Sequence, residues 1–566
     1  MHNKAHNAHT PLPREVLLLI CQVSDRRTLN RLQHVSAEWR FVSLPLIWKT
    51  VEIGDWEYKV SAPLIHSTYG SMVRKIEYRR HQRRRGTSAG TSSPVFAPTV
   101  ESKTKTEVAC EWLSLPWGNL HCVEIGAWPP YNIGRVQAVL SESCKHIRTL
   151  VFEGAAAAWV DTLQRAVSAH PGLQGLHITE DSRALMPPVA DVLYKRLQTH
   201  FGFMAQPNAA KLTRLTVPCV VESAGQLLGQ LARLLPTLVS LDLRQVDASS
   251  ANRLVISPPL GLKDLRISGR HPLSMRMFGA HSPDAQSNCS AVSQLAAGLK
   301  SLSVSGLRSE EAAQREFEQF WSVAFQHKWP SLSKLVVPVA RPELGFLLSS
   351  SCLALRYLHI LQAGSSINPQ HNNQWAAAIV KLPELRHLDI ASSNNEYEGC
   401  SLSSKLVTGF VWNAHWIHTL YLSRLILTAD HIEHLARMLP YLCTVWFTFD
   451  TRPPAYMPGS SSAKLVHATA RGKQHRLRYI VIQEIIDAES TEMRSNRYTA
   501  SAFESEPGLG SNFGTSESTR ALSGCLDRLP SINKCRLPMF TFPDDQRRWL
   551  QRHHPLVDFN KYAPPF

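Results

Sequence analysis

The stretch that decides the fold is Leu385-Arg386-His387-Leu388-Asp389-Ile390. In an extended strand successive side chains point to opposite faces, so Leu388 and Ile390 share one face while His387 and Asp389 share the other. Leu385 comes from the preceding turn and points toward the apolar face. The stretch therefore predicts a short strand with one buried side, written L-x-x-L-x-L with any large aliphatic residue at L.

The same pattern recurs fifteen times along the chain. Neighbouring copies stand as little as 23 residues apart, as from Leu332 to Leu355, which is a spacing typical of repeat architectures. Several copies follow a Leu-Pro pair, and a proline just past a helix ends it. Each copy therefore predicts a unit of helix, turn and strand, and the copies begin at Val73, Leu120, Ile147, Leu173, Leu212, Leu238, Leu262, Leu299, Leu332, Leu355, Leu385, Ile417, Leu442, Leu477 and Ile532.

Length and charge limit the class of protein. The chain has 566 residues, and its 61 Lys and Arg against 45 Asp and Glu give a formal net charge of +16. A chain of this length exceeds the size at which one compact core stops growing, so several domains or one elongated array is expected. The positive balance makes anionic partners worth considering but does not bear on the fold.

The cysteines and the N-terminal residues indicate the cellular compartment of the protein. The eleven cysteines are scattered without a C-x-x-C pair, which predicts reduced, mostly buried thiols. Residues 1–10 lack the apolar run of a signal peptide, and the apolar run at residues 16–20 is too short to span a bilayer. We therefore expect a soluble protein of the cytoplasm, the nucleus or both, with no membrane partner.

The first fifty residues carry three short helical patterns. Pro13 suits the first turn of a helix, and Ser24 or Asp25 can cap a second one. A third short helix would hold Trp39. Three short helices bury little surface, so such a bundle needs a neighbour or a partner.

These residues also carry a resemblance to a known family. The pattern Leu12-Pro13-x-x-Val16-Leu17-x-x-Ile20, then Leu29-x-x-Leu32-x-x-Val35-Ser36-x-x-Trp39-Arg40, then Pro45-Leu46-Ile47-Trp48, resembles an F-box of the fungal type. The resemblance implies a unit that binds the Skp adaptor of a cullin–RING ubiquitin ligase. The alternative is a plain helical cap on a repeat array. The resemblance implies an adaptor-binding face formed or supported by Leu12, Pro13, Val16, Leu17, Ile20, Leu29, Leu32 and Val35.

The repeated unit is similar to the leucine-rich repeat over about five hundred residues. The resemblance implies an α/β fold class: a three-helix F-box followed by an irregular leucine-rich-repeat solenoid, with a parallel β-sheet on the concave face and helices outside. The expected domains are residues 1–9 as a disordered N-terminus, 10–50 as the F-box and 51–566 as the solenoid. Disordered or loop inserts are expected at about 79–108, 274–290 and 488–519, where polar sequence breaks the repeat.

The positions between the aliphatic residues of each strand would face the open side of such an array, which binds partners in repeat proteins. In the first half these positions are small or mixed, whereas from the tenth copy onward they carry residue types enriched at interface hot spots. Ordinary strand residues covered by loops are the alternative. The predicted partner surface consists of Arg356, Tyr357, His359, Arg386, His387, Asp389, His418, Tyr421, Trp446, Arg478 and Tyr479.

No catalytic or cofactor motif accompanies these patterns. The sequence has no G-x-S-x-G, P-loop or G-x-G-x-x-G, so we expect neither enzymatic activity nor a cofactor. His431 and His434 stand three residues apart, whereas a metalloprotease helix spaces its histidines four apart, so no metal is expected. The basic run Arg79-Arg80-His81-Gln82-Arg83-Arg84-Arg85 is interpreted as a solvated loop, with a nuclear-localisation signal or a phosphate-binding patch as alternatives.

The combined patterns predict the substrate-recognition subunit of a Skp–cullin–F-box ubiquitin ligase, which is itself not an enzyme. Its expected partners are the Skp adaptor and cullin ligase core on one side and an unknown substrate protein on the other, with no nucleic acid. Two alternatives stay open. One is a leucine-rich-repeat scaffold with no ubiquitin role, and the other is a basic nucleic-acid-associated protein.

Overall fold

The computed structural model describes residues 12–53, 62–78, 105–125, 133–143, 146–153, 167–179, 209, 211–217, 231–246, 259–269, 295–305, 328–339, 348, 351–363, 377–392, 407, 409, 416–450, 476–486, 517–529, 531–538 and 544–562. The chain forms two compact units, Met1–Gly261 and Leu262–Phe566. Among the described residues no helix is both long and apolar enough to cross a membrane.

Three helices open the first unit: α1 (Arg14–Val23), α2 (Arg26–Leu32) and α3 (Ala37–Ile47). The Asp25 carboxylate accepts the Thr28 N–H at 2.7 Å, and the Ser36 hydroxyl accepts the Trp39 N–H at 3.4 Å, so each caps the helix that follows it. The shared core is small, which fits a bundle that needs support. It consists of Leu17, Cys21, Leu29, Val42 and Ile47.

A parallel sheet follows the helices in the first unit. Each strand pairs in register with the next one along the chain. The strands are β1 (Thr50–Ile53), β2 (Lys75–Tyr78), β3 (Cys122–Ile125), β4 (Thr149–Glu153), β5 (Gly175–Thr179), β6 (Arg214–Val217) and β7 (Ser240–Val246). The described connecting helices are α4 (Ala62–Tyr69), α5 (Lys105–Ser114), α6 (Ile133–Ser143) and α7 (Leu231–Leu234).

The second unit repeats this arrangement with a longer run of parallel strands, again paired in chain order. They are β8 (Asp264–Gly269), β9 (Ser301–Ser305), β10 (Lys334–Val339), β11 (Tyr357–Ala363), β12 (His387–Ser392), β13 (Thr419–Leu427), β14 (Thr444–Asp450), β15 (Tyr479–Ile486), β16 (Lys534–Pro538) and β17 (Asp558–Tyr562). The described helices are α8 (Ala429–Met438), α9 (Glu517–Arg528) and α10 (Asp544–His553).

The aliphatic positions of the repeat form the core of each sheet. Leu385, Leu388 and Ile390 are fully buried, and Leu388 lies in register between Leu358 on β11 and Leu420 on β13. The same alignment runs from strand to strand, so equivalent side chains stack in layers. The prediction of an α/β repeat fold with a parallel sheet and helices is therefore confirmed.

The residue before each strand joins neighbouring repeats through its backbone. The Arg356 carbonyl, for example, accepts the N–H groups of both Arg386 and His387 at 2.9 Å. The same pair of hydrogen bonds to one carbonyl recurs from repeat to repeat along each unit. It supplies backbone pairing at the start of each strand.

Several predicted features lie outside the described residues. These are the disordered N-terminus at residues 1–9, the basic run at 79–85, and most of the inserts at 79–108, 274–290 and 488–519. Two described helices begin inside those insert ranges, α5 at Lys105 and α9 at Glu517. The domain boundaries at 10–50 and 51–566 stay predictions.

Candidate protein-binding surfaces

Exposed apolar side chains are concentrated on the N-terminal helices. Among the large apolar residues that are exposed in the described part of the chain, eight of thirteen lie between residues 12 and 41. Val16, Leu19 and Val23 follow one another at helical spacing, so they share one side of α1, and Leu12 stands two residues before the helix. We call the following set the N-terminal apolar patch: Leu12, Val16, Leu18, Leu19, Ile20, Val23, Val35 and Phe41.

The residues predicted to form or support the adaptor-binding face fall into two groups. Leu17 and Leu29 are buried in the helical core, and Leu32 packs against it. The members that reach the surface are Leu12, Val16, Ile20 and Val35, whereas Pro13 stands just before the first turn of α1.

One detail of α1 differs from the expectation. The spacing predicts that Val16, Leu17 and Ile20 share one face, but Leu17 is buried with Cys21, and Val16 and Ile20 are exposed. The buried stripe follows the pair Leu17 and Cys21, four residues apart. Cysteine behaves as a small apolar residue in cores, and this was the signal in the sequence that could have placed the stripe.

The predicted partner residues of the second unit form two rows across the polar face of its sheet. Residues in one row occupy equivalent positions on neighbouring strands, which lie about 4.8 Å apart. The first row runs through Lys334, Tyr357, His387, Thr419, Thr444, Tyr479 and Lys534. The second row runs through Val336, His359, Asp389, Tyr421, Trp446, Val481 and Arg536.

Polar and aromatic contacts link these rows across the strands. The Tyr421 and Trp446 rings have centroids 4.9 Å apart, and the Tyr357 and His387 rings have centroids 6.0 Å apart. His359 Nε2 lies 3.4 Å from Asp389 Oδ2. Neighbouring side chains thus support one another across the strands.

Cations stand over two of the tyrosines in the first row. Lys334 Nζ lies 4.9 Å from the ring centroid of Tyr357. The Tyr479 ring has Lys534 Nζ at 5.5 Å and the Arg536 guanidinium carbon at 5.8 Å. These distances are within the range of cation–π attraction. Both tyrosines therefore combine an aromatic surface with adjacent positive charge.

Four of the predicted partner residues lie just before their strands and not within them. Arg356, Arg386, His418 and Arg478 form an edge row, and the three arginines are exposed. Their backbones are fixed by the double hydrogen bonds between repeats. Arg356 Nε lies 3.8 Å from Glu384 Oε2, an exposed pair of small energetic weight.

The charge of this polar face is strongly positive. Between β9 and β16, the edge row and the two rows contain one carboxylate, Asp389, which already faces His359. Burial raises the pKa of Asp389, and the neighbouring His359 partly offsets this rise. With the edge row extended to Lys300 just before β9, the cations in the same rows are Lys300, Lys334, Arg356, Arg386, Arg478, Lys534 and Arg536.

The polar face of the first unit has the opposite character at its start. Glu52, Glu77 and Glu124 are in register on β1, β2 and β3. Lys75 forms ion pairs with Glu77 and with Glu124, the latter at 2.7 Å. Burial lowers the pKa of Lys75, but the hydrogen bonds and charges of Glu124 and Glu77 outweigh it, so the pKa is raised. This acidic row was not predicted from the sequence, because its members are separated by 25 and 47 residues along the chain.

One of the two histidines of α8, His431, has a structural role at the helix start. His431 Nδ1 accepts the Thr428 N–H at 3.3 Å, and the Thr428 hydroxyl accepts the His431 N–H at 3.3 Å, so the pair forms a capping box. The described residues contain no group of three potential metal ligands.

One cluster in the second unit has the residue types of a hydrolase triad. Ser523 Oγ lies 2.8 Å from His554 Nε2, and His554 Nδ1 lies 3.9 Å from Asp527 Oδ1. Ser523 is in the middle of α9, where helical hydrogen bonds occupy the backbone N–H groups that an oxyanion would need. The contact is therefore explained by packing of α9 against α10.

Comparison with known proteins gives distant structural likenesses alone. No family model matches the chain, and no curated protein matches it. The chain is similar to the crystal structure of the Rad7 and Elc1 complex in yeast, with 12% identity over 85% of this chain and 94% of that chain and a TM-score of 0.35. It is also similar to a protein from Bacteroides fragilis, with 9% identity over 66% of this chain and 71% of that chain and a TM-score of 0.23.

Its own strand pairing defines the class of the protein. The chain is an α/β repeat protein in which each repeat adds a parallel strand, with three N-terminal helices before the first strand.

Proposed function

We propose that the chain is the substrate-recognition subunit of a Skp–cullin–F-box ubiquitin ligase. The N-terminal helices bind the Skp adaptor and through it the cullin core, and the polar face of the second unit binds a target protein. The chain brings the target to the ligase, contributes no catalytic residue, and acts in the cytoplasm or nucleus. The observation that carries the proposal is the N-terminal apolar patch.

The patch supports docking of a protein, because moving its apolar side chains out of water into an interface is favourable. Fully burying one large apolar side chain contributes roughly 1.5–3 kcal/mol. Eight exposed residues of this kind between residues 12 and 41 therefore offer several kcal/mol to a partner that covers them. Large exposed apolar patches on soluble proteins mark interaction sites. The F-box resemblance gives the partner its identity, since the exposed members Leu12, Val16, Ile20 and Val35 belong to the motif.

The polar face of the second unit supports binding of an acidic target segment. Seven cations and one carboxylate occupy its rows from β9 to β16, and the aromatic pair Tyr421 and Trp446 lies among them. Aromatic and arginine side chains dominate the energetics of protein interfaces, and positive charge steers an acidic partner toward the face. An extended acidic segment with apolar side chains complements this surface best.

Adaptor binding is tested by placing charge on the apolar patch. Leu12 and Val35 are 52% and 63% exposed, so Leu12→Glu/Val35→Glu should leave the fold intact. We expect the unaltered chain to capture purified Skp adaptor and the variant to bind at least about tenfold more weakly, because burying two charges opposes docking. Affinity capture followed by calorimetry measures both.

The matched control carries the same charges on exposed leucines elsewhere. Leu260 and Leu556 are 83% and 90% exposed, and Leu260→Glu/Leu556→Glu should bind the adaptor like the unaltered chain. If the unaltered chain does not bind the adaptor, the ligase role is wrong. A repeat scaffold without a ubiquitin role would then be the better description.

A further inference from the structure

An open cavity of about 290 Å³ lies in the first unit. Three successive repeats contribute to it at the edge where their strands begin. Gly118 and His121 precede β3, His146 and Arg148 precede β4, and Gly172 precedes β5. The Arg148 N–H donates to the His121 carbonyl at 2.8 Å, which holds two of these repeats together at the cavity.

The side chains that line the cavity are basic. The Arg148 guanidinium is always charged and offers five N–H donors, and each imidazole of His121 and His146 can donate as well. Among the residues that the structure describes, no carboxylate belongs to the lining. The cavity therefore presents hydrogen-bond donors and positive charge, which is the requirement for binding an anion.

One of these groups lacks a partner in the described part of the chain. His121 Nδ1 is buried and, within the described residues, has no hydrogen-bond partner. Leaving a buried polar atom unsatisfied costs about 1–3 kcal/mol. This atom has less than 1 Å² of accessible surface, so the ring must rotate before Nδ1 meets an acceptor in the cavity, and that contact would offset the cost.

The two glycines keep the cavity open. A Cβ atom built on Gly118 or Gly172 would meet no atom within 4 Å, and neither residue has a left-handed φ. Packing and backbone strain therefore do not require glycine at either position. Their peptide N–H groups lie in turns and, in the described part of the chain, have no backbone acceptor. Unpaired turn amides next to basic side chains are a typical setting for oxyanions.

We propose that this cavity binds a phosphoryl group, either as inorganic phosphate or as the phosphate of a phosphorylated side chain. A phosphate carries about −1.5 to −2 charges near pH 7 and has three strong acceptor oxygens. The Arg148 fork pairs with two oxygens, and His121 and His146 donate to the remaining acceptor sites. A single carboxylate would leave part of this donor set unused.

The test adds a negative charge inside the cavity without disturbing the fold. Calorimetric titration of the full chain with inorganic phosphate should show one-site binding. Gly172→Asp should weaken it at least about tenfold, because a carboxylate repels the anion and pairs with Arg148. Gly524→Asp is the matched control, since a Cβ atom there also meets nothing within 4 Å and Gly524 lies on α9 in the second unit. This control should bind phosphate like the unaltered chain.

A second pair of titrations identifies the source of the phosphoryl group. A short Gly-Ser peptide with one phosphoserine is compared with its unphosphorylated form. The proposal is supported if the unaltered chain binds phosphate, the phosphopeptide or both, and if Gly172→Asp and Arg148→Gln each lose that binding. The compound that binds then identifies the source of the phosphoryl group. Absence of binding to either, or binding that both variants retain, overturns the proposal.

Discussion

His170 is a fully buried histidine whose two ring nitrogens have no hydrogen-bond partner among the described residues. Burial lowers the pKa of His170 below its ordinary value, because the charged imidazolium is costly in an apolar setting. The unfolded chain therefore binds this proton more readily than the folded chain does. The stability linked to His170 is fully present above pH ~6.5 and is lost as the pH falls below that value.

This linkage gives a prediction for His170→Met. The melting temperature of the unaltered chain should fall from pH 7.5 to pH 5.5. The melting temperature of the variant should fall by roughly 2–4 °C less over the same range. The difference corresponds to about 1.4 kcal/mol for one pH unit below the unfolded pKa. Scanning calorimetry at both pH values measures it. His34→Gln, at an exposed position, is the control, and an unchanged slope in His170→Met would contradict the account.

At the residue scale, the sequence predicted which side chains are buried better than which side chains meet. Leu385, Leu388 and Ile390 follow from strand alternation alone, and all three are fully buried. The pairs His359–Asp389 and Tyr421–Trp446 depend on which residues stand opposite each other on neighbouring strands. That register is set by turns and inserts of variable length, so the sequence placed these residues on one face but did not pair them.

At the scale of the element, the polar face of the second unit gives the next prediction. Arg386→Ala/Tyr421→Ala/Trp446→Ala should reduce capture of target proteins at least about tenfold, since such residues supply most of the binding energy at an interface. Capture by the unaltered chain should also weaken as salt rises, because the face is basic. Quantitative mass spectrometry of captured proteins measures both effects.

The control for this variant replaces the same residue types off the polar face. Arg548→Ala/Trp549→Ala alters α10, whose side chains belong to none of the rows. It should capture the same proteins as the unaltered chain. Undiminished capture by a folded triple variant would show that the rows are not the partner surface.

Helices were predicted less completely than strands. The repeat copy that begins at Leu442 predicted a helix before its strand, and α8 spans Ala429–Met438 with a capping box at Thr428. In α1 the same kind of periodicity placed Val16 and Ile20 with Leu17, although they lie on the exposed side. A helix with apolar residues on both sides has no unique inward face that its sequence could show. The packing of Cys21 into the small core decides which side of α1 is buried.

At the scale of the whole molecule, fifteen repeated copies in order predicted one α/β repeat fold over most of the chain. The cavity at His121, His146 and Arg148 was not predicted, because it joins the starts of three repeats whose strands are separated by connections of different length. The acidic row on β1 to β3 was not predicted for the same reason. Features within one repeat can be predicted from the sequence, whereas features shared between repeats require the structure.

In the proposed complex the N-terminal helices bind the Skp adaptor while the second unit stays free for a target. Hydrogen exchange of the full chain with and without purified adaptor tests it most directly, because amides covered or stabilised by a partner exchange more slowly. The account predicts slower exchange in Arg14–Val23, Arg26–Leu32 and Ala37–Ile47, with unchanged exchange from Tyr357–Ala363 to Tyr479–Ile486. Unchanged exchange in the three N-terminal helices at saturating adaptor would contradict it.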